Sequence, residues 1–222
     1  MKAESEKRMV KLIQLLTGDE AQKYVVQELQ AILACEANEV KFGRLDLYKF
    51  AAKDNLRPST CGVYHDNGWQ VATDGHILIA VKQSYAEDRE GKAIAKDGSV
   101  IEDKYPNWRA VIPAYTNEYK TFRMDIAELS EALRKAKAHT KVYGKDACQI
   151  SLSGEIWFRP DLLHLFATAM KEDGADEIQY LSSNRGAVVK TDTMQLLLMP
   201  MIPPTEDELA DDANLFLTLN GK

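Results

Sequence analysis

The sequence predicts an α+β fold in which antiparallel sheets carry helices on one face, preceded by a helical hairpin. Two observations lead to this prediction. Residues 62–72 hold two β-prone runs around an Asn-Gly turn, a strong local signal for a β-hairpin. Residues 124–199 alternate helical spacing with short apolar runs, in the order helix, two strands, helix, three strands. Helices gathered against antiparallel strands are typical of the α+β class.

The composition predicts a cytoplasmic globular protein. The chain has 222 residues, of which 45% are hydrophobic, enough to form a substantial core. No run approaches the roughly 18 apolar residues of a membrane span, and the charged N-terminus lacks the features of a signal peptide. Three separated cysteines fit neither a disulfide framework nor a zinc site. We expect no metal and no cofactor.

The charge balance argues against a protein that binds nucleic acid mainly through phosphate contacts. The 28 basic residues are outnumbered by 34 acidic residues, which gives a formal net charge of −6. Conventional repressors and histone-like proteins are usually basic because they neutralise phosphates. A positive face on an acidic body is still compatible with DNA contact.

The first 38 residues are predicted to form a helical hairpin. Apolar residues recur at helical spacing in two stretches that Thr17-Gly18-Asp19 separates, and Asp19 with Gln22 matches a capping box. We expect the hairpin to pack on the body or on a partner chain.

Residues 39–104 are predicted to form a partial domain with a charged arm. A short helix at 45–53 precedes the hairpin, and the continuous apolar run at 76–81 predicts a strand buried on both faces. Residues 84–105 are rich in charge and indicate a linker or mobile arm with a small hairpin at Asp97-Gly98.

Residues 105–202 are predicted to form a second domain, and residues 203–222 an acidic and then apolar tail. The regular elements of this domain follow from apolar spacing, from Pro160 as a first helical residue and from Gly174 as a helix stop. They are a helix at 124–138, strands at 149–152 and 155–158, a helix from 160 to 174, and strands at 177–181, 186–190 and 194–199.

Three segments, in order, resemble landmarks of the bacterial sliding clamp, the β subunit of DNA polymerase III. Residues 71–78 (VATDGHIL) are similar to the clamp's ATDGHRL turn, and residues 105–113 (YPNWRAVIP) to its FPDYRRVLP segment. Residues 198–201 (LMPM) are similar to its C-terminal VMPM strand. The resemblance covers about 40–82 and 105–202, without the clamp's first domain, and the charged arm replaces part of the middle domain. It therefore implies a non-catalytic clamp-like protein whose closure into a ring is in question.

The resemblance also implies a peptide-binding groove, because these segments converge in clamps on a cleft for short linear motifs. Methionines suit such a surface, since their unbranched side chains repack easily. Ile77, Ala110 and Ile202 stand where the family has arginine, which implies a less basic rim. The implied lining residues are Thr73, Gly75, His76, Leu78, Pro106, Val111, Leu197, Leu198, Met199, Pro200 and Met201.

Four basic residues near the end of the 124–138 helix are candidates for DNA contact: Arg134, Lys135, Lys137 and Lys141. Clamp helices of this kind line the hole and touch phosphates loosely. An equally good explanation is that acids at the start of the helix and bases at its end complement the helix dipole.

Simpler explanations exist for the other motifs. Asp74-Gly75-His76 is fully explained as a tight turn, although Asp74 and His76 could form a catalytic pair. Met199-Pro200-Met201 is compatible with an edge strand that proline ends. Residues 214–217 loosely resemble clamp-binding motifs, so the tail is either a last strand or a peptide that occupies the groove. In the second case, deleting residues 205–222 would strengthen peptide binding.

Three functions follow from these patterns. The first is a clamp-like accessory protein, from a phage or mobile element, that binds peptides of replication or repair proteins and contacts double-stranded DNA. The second is a peptide-binding adaptor, or a competitor for clamp partners, that does not bind DNA. The third is an enzyme that uses Asp74 and His76. A homo-oligomer would restore the prospect of a ring, whereas a monomer would favour the adaptor.

Overall fold

A computed structural model describes residues 41–222 except 55–56, 115–117 and 182–184. The predicted helical hairpin lies outside these residues. Within them, fourteen strands and four α-helices form an α+β fold, which confirms the predicted class. The described helices include none that is long and apolar enough to cross a membrane.

The described chain begins with a tight hairpin where a helix is predicted. Strands β1 (Lys41–Phe42) and β2 (Leu45–Asp46) pair, and Leu47–Lys49 form a single 3-10 turn. The Asp46 carboxylate accepts a hydrogen bond from the Tyr48 amide and starts this turn. The predicted helix at 45–53 is wrong because its apolar residues are buried on more than one side, as Leu45, Leu47 and Phe50 show with exposures of 2% or less.

The predicted β-hairpin is confirmed. Strands β3 (Val63–Asp66) and β4 (Trp69–Thr73) pair in antiparallel fashion around Asn67 and Gly68. Both turn residues have positive φ, 50° and 79°, as a two-residue turn between twisted strands requires. Strand β5 (Ile77–Lys82) follows and is buried on both faces, apart from its last residue.

The charged segment after β5 is built into the sheet edge. Strands β6 (Ala93–Ile94) and β7 (Val100–Ile101) form the predicted hairpin at Asp97-Gly98, and β6 pairs with β3. The Tyr48 hydroxyl donates to the backbone carbonyls of Ile94 and Ala95. The structure therefore joins this segment to the sheet, where the sequence predicts a linker or mobile arm.

Two short elements that the sequence analysis does not predict open the second half. Helix α1 (Trp108–Val111) is a single turn, and β8 (Lys120–Arg123) is an edge strand with only Phe122 buried. Helix α2 (Ile126–Tyr143) follows and is five residues longer than predicted at its end. Its N-cap is Asp125, whose carboxylate accepts from the amides of Ala127 and Glu128.

The remaining predicted elements are present within one or two residues of the expected bounds. Gly174 ends the second long helix in the left-handed conformation, with φ 79°. These elements are β9 (Cys148–Leu152), β10 (Ile156–Phe158), α3 (Pro160–Asp173), β11 (Glu177–Tyr180), β12 (Ala187–Lys190) and β13 (Met194–Leu198).

The acidic and apolar tail forms a helix and a strand. Thr205 and Glu208 make a capping box at helix α4 (Glu206–Ala210). Strand β14 (Leu215–Leu219) pairs with β9 in parallel, whereas the other strand pairs of the described chain are antiparallel. Of the two predictions for the tail, the structure thus favours a last strand over a peptide that occupies the groove.

The strands form two main sheets that enclose the core. The large sheet has the order β7-β6-β3-β4-β5-β13-β12-β11-β8, and the small sheet the order β10-β9-β14. One face of the large sheet packs with α2, α3 and the small sheet in the main core. Its other face carries a second apolar cluster, which includes residues of the segment around α1.

Candidate functional site

The 74–76 turn is fixed by backbone and side-chain hydrogen bonds. The Asp74 carboxylate accepts from the amides of His76 (2.8 Å) and Ile77 (2.9 Å), and the Thr73 hydroxyl donates to the Ile77 carbonyl (2.7 Å). Gly75 has φ 91°, a conformation that side chains rarely adopt. The Asp74 carboxylate is therefore committed to the turn, and the exposed side chain of His76 stands at its tip.

Strand pairing brings the C-terminal methionine segment to this turn. Strands β5 and β13 pair so that Leu78 lies opposite Leu197. Beyond the ladder, the Met199 amide donates to the His76 carbonyl at 2.8 Å. Two segments that are more than a hundred residues apart in sequence thus meet side by side.

The segment around α1 covers the same face of the large sheet. Tyr105, Trp108 and Ile112 are buried in one apolar cluster with Leu78 and Leu197. Burial raises the pKa of the Tyr105 phenol, which stays neutral. The structure therefore brings together the three segments on which the predicted groove depends.

Hydrogen bonds and an ion pair to Asp66 hold α1 on the sheet. Asp66, in the hairpin, accepts hydrogen bonds from the Trp108 indole at 2.8 Å and from the Arg109 guanidinium, which also lies over the Trp108 ring. Burial alone would raise the pKa of Asp66, but these two donors lower it overall. The carboxylate is thus ionised at neutral pH, and the ion pair fixes the position of α1.

The predicted lining residues divide into three groups. Leu78 and Leu197 are buried under the α1 segment and form a floor. Leu198 points to the opposite face, into the main core, and so does not belong to the groove, because adjacent strand residues face opposite ways. The residues on the outside are Gly75, His76, Pro106, Val111 and Met199, which are exposed, and Pro200 and Met201, which are half-buried; Thr73 is buried beside the turn.

We call the outer residues of the turn, of α1 and of the C-terminal methionine segment, with Ile202 added, the seam surface: Gly75, His76, Val111 and residues 199–202. Val111, Met199 and Ile202 are 53%, 40% and 85% exposed. The patch lies where the two sheets meet, because the Met199 amide bonds to the β5 turn and the Met201 amide donates to Trp157 of β10 at 2.7 Å. Clusters of exposed large apolar side chains often mark interaction sites.

Two arginines that sequence reasoning missed stand beside the turn. The Nη1 atom of Arg57 lies 3.0 Å from where a Cβ on Gly75 would be. Arg159, which precedes α3, bonds to Asp161, and this bond raises its pKa, with a smaller contribution from Asp74. Two guanidinium groups therefore lie near the turn, and that of Arg159 is paired with Asp161. No local signal marks these two residues, because only the fold brings them to the turn.

The four candidate DNA-contacting residues lie between the middle of α2 and its C-terminal end and are exposed. Arg134 and Lys135 are within 2.8 and 3.7 Å of the Glu131 carboxylate. The hydrogen bond from Arg134 is the main reason why the pKa of Glu131 falls to about 2. Lys137 and Lys141 form no ion pair with other described residues.

The site shows no catalytic arrangement among the described residues. The His76 ring forms no hydrogen bond with a described residue, and no group of three His, Cys, Asp or Glu side chains among these residues is placed to hold a metal ion.

A cleft of about 330 Å³ lies away from the turn, against β6 and β7. Its lining includes Tyr64, Tyr105, Lys92, Glu102 and Lys104.

Comparison with known proteins identifies the fold. The DNA polymerase III β subunit of Thermotoga maritima matches 78% of this chain with a TM-score of 0.51 and 15% sequence identity. The Caulobacter crescentus β subunit and the Bacillus subtilis sliding clamp match 77% and 78% of the chain, both with a TM-score of 0.49 and 12% identity. No family model and no curated protein matches the sequence.

The match covers most of this chain but less of the solved structures. The chain spans 64% of the Thermotoga protein's length and 63% of the Bacillus protein's length. The topology and the Thermotoga match together show that this chain has the sliding-clamp fold.

Proposed function

We propose that this chain, which has the fold of bacterial sliding clamps, is a non-catalytic accessory protein of replication or repair that binds short peptide segments of its partners. The observation that carries the proposal is the seam surface, an exposed apolar patch beside a rigid turn. Grooves that receive short peptides combine apolar anchoring positions with a few orienting polar groups. Arg57, which is exposed beside Gly75, supplies such a group and favours a peptide that carries a carboxylate next to its apolar residues.

Peptide binding can be tested with a labelled Leu/Phe-rich hexapeptide by fluorescence anisotropy. We expect Val111→Asp to weaken binding at least tenfold, because it places a charge in the apolar patch without disturbing the buried Trp108 and Ile112. The matched control is Val142→Asp, since Val142 is 73% exposed on α2, outside the seam surface. Equal effects of the two substitutions, or no effect of the first, would contradict the proposal.

Whether α2 contacts DNA distinguishes two candidate functions: a clamp-like accessory protein that binds DNA, and a peptide-binding adaptor that does not. The net charge of −6, and the pairing of Arg134 and Lys135 with Glu131, favour the adaptor. The exposed Lys137 and Lys141 favour a loose phosphate contact instead.

If α2 contacts double-stranded DNA, affinity falls with salt, and the double variant Lys137→Ala and Lys141→Ala lowers the slope of log K against log salt by about 2. Lys96→Ala is the control, because this exposed lysine belongs to the β6–β7 hairpin. A wild-type chain that shows no salt-dependent binding to a 30-base-pair duplex identifies the adaptor.

A further inference from the structure

Trp157 and Phe216 form an aromatic pair on the outer face of the small sheet. The neighbours of Trp157 in β10, Ile156 and Phe158, are fully buried in the main core, so Trp157 points the other way. Its ring meets that of Phe216 edge to face, with centroids 5.8 Å apart and planes at 89°. Both side chains remain half-buried, so the pair presents aromatic surface to the outside.

This pair continues the seam surface. Met201 forms an isolated antiparallel bridge with Trp157, and its amide donates to the Trp157 carbonyl at 2.7 Å. Paired backbones lie about 5 Å apart, so a peptide seated at Met201 reaches the aromatic pair with about two further residues. Through Phe216, the tail thereby contributes to the aromatic pair that continues the seam surface.

An unpartnered polar atom lies on the same face. Gln149 is the register partner of Phe216, and Ser151 is the register partner of Trp157. Ser151 is bonded to Leu217 and Thr218, but the buried Oε1 of Gln149, a residue that is 7% exposed, has no hydrogen-bond partner among the described residues. A buried acceptor without a donor is unfavourable, so the packing of this face leaves one polar group unsatisfied.

We propose that Trp157 and Phe216 form an apolar subsite that accepts one large apolar side chain of the partner peptide, beyond the residues that occupy the seam surface. This inference rests on the proposed peptide-binding function and names a further requirement of the partner: an aromatic or large aliphatic residue about two positions outside the core motif. Trp is among the residue types enriched at the positions that contribute most to binding energy.

Three labelled peptides test the subsite: the Leu/Phe-rich hexapeptide, and the same peptide extended by Gly-Trp at its amino end or by Trp-Gly at its carboxyl end. We expect one extended peptide to bind the wild-type chain about tenfold more tightly than the hexapeptide. Trp157→Ala or Phe216→Ala removes this gain and leaves hexapeptide affinity within twofold. Phe216→Leu, which keeps an apolar side chain in β14, retains about threefold of the gain.

The outcomes separate the two proposals. If the hexapeptide binds and neither extension binds more tightly, the subsite is refuted and the peptide-binding function stands. If the variants lose hexapeptide and extended-peptide binding equally, Trp157 and Phe216 only support the fold. If no peptide binds, both proposals fail. Urea unfolding of each variant verifies folding, and Phe216→Leu provides the decisive measurement if Phe216→Ala does not fold.

Discussion

His65 is a buried histidine whose surroundings favour the neutral ring. Its side chain is fully buried in β3, and its Nδ1 atom lies 3.2 Å from the Lys92 carbonyl, which requires a proton on Nδ1. Within the part of the chain that the structure describes, the Nε2 atom has no hydrogen-bond partner, and neither does Oε1 of Gln70, the residue opposite His65 in β4. Burial is the main cause that lowers the pKa of His65, and the positive charge of Arg89 lowers it further. The hydrogen bond to the Lys92 carbonyl and the negative charges of Glu90 and Asp88 raise the pKa, but the net shift is downward.

This environment predicts that the fold loses stability in mild acid. Unfolded histidine titrates near pH 6.5, whereas the folded state holds His65 neutral to lower pH, so protons bind preferentially to the unfolded chain. The stabilising difference is complete above pH 6.5 and decreases as pH falls below it, by up to roughly 1.4 kcal/mol per pH unit. Urea unfolding at pH 7.5, 6.5 and 5.5 measures this slope.

The histidine responsible can be identified by substitution. We expect His65→Gln to flatten the dependence of the unfolding free energy on pH between 6.5 and 5.5, whatever its effect on absolute stability. His164→Gln is the control, because His164 is exposed on α3. The lowered pKa values of Asp66 and Glu90 place their contributions at more acidic pH, outside this window. A slope that persists in His65→Gln would contradict the assignment.

For individual residues of the site, the sequence supports a prediction only where a local motif marks the residue. Thr73, Gly75 and His76 belong to a turn motif, and the structure places Gly75 and His76 at the seam surface and buries Thr73 beside them. Leu197 and Leu198 are neighbours in one strand, so their side chains face opposite ways and only Leu197 lies with Leu78. Arg57, Arg159 and Trp157 carry no motif and reach the site through tertiary packing alone.

At the scale of elements, local chemistry explains which predictions succeed. The Asn67-Gly68 turn and the Pro160 and Gly174 helix boundaries depend on φ preferences that a few residues fix, and these elements match the structure. Helix α1 and strand β8 are too short, with four residues each, to display a period.

Strand pairing, unlike turns and helix boundaries, is not determined by a few neighbouring residues. The parallel alignment of β14 with β9 joins residues that are 67 apart in sequence, as with Leu215 and Cys148, and no local pattern encodes such a partner. The sequence shows that residues 214–219 can form a strand. Burial of Leu219 and the bonds around Ser151 decide where that strand lies.

Across the whole molecule, one continuous sheet joins the two predicted domains. Strands β5 and β13 pair over five residues across the boundary predicted at 104–105, and they carry the two halves of the seam surface. The site is thus supported by pairing between distant parts of the chain. The predicted limits of the units, 39–104 and 105–202, remain predictions.

The C-terminal tail contacts both ends of α2. Strand β14 runs along α2, where the His139 ring bonds to the Ala213 carbonyl at 2.8 Å. At the other end, the Glu128 carboxylate accepts hydrogen bonds from the amides of Asn220 and Gly221. Leu219 is 1% exposed within the main core. These contacts span α2 and connect it with the small sheet.

Deleting residues 214–222 is therefore expected to weaken peptide binding, opposite to the result expected of a tail that occupies the groove. The deletion exposes the β9 edge, removes the buried Leu219 and leaves Trp157 without Phe216, so the unfolding free energy falls by at least about 2 kcal/mol. Urea unfolding, and fluorescence anisotropy with the Trp-extended peptide that reaches Phe216, measure both effects. The control replaces residues 206–210 with Gly and Ser, because α4 has no buried residue and β14 is kept. Tighter peptide binding by the deleted chain, at unchanged stability, would instead show that the tail competes for the groove.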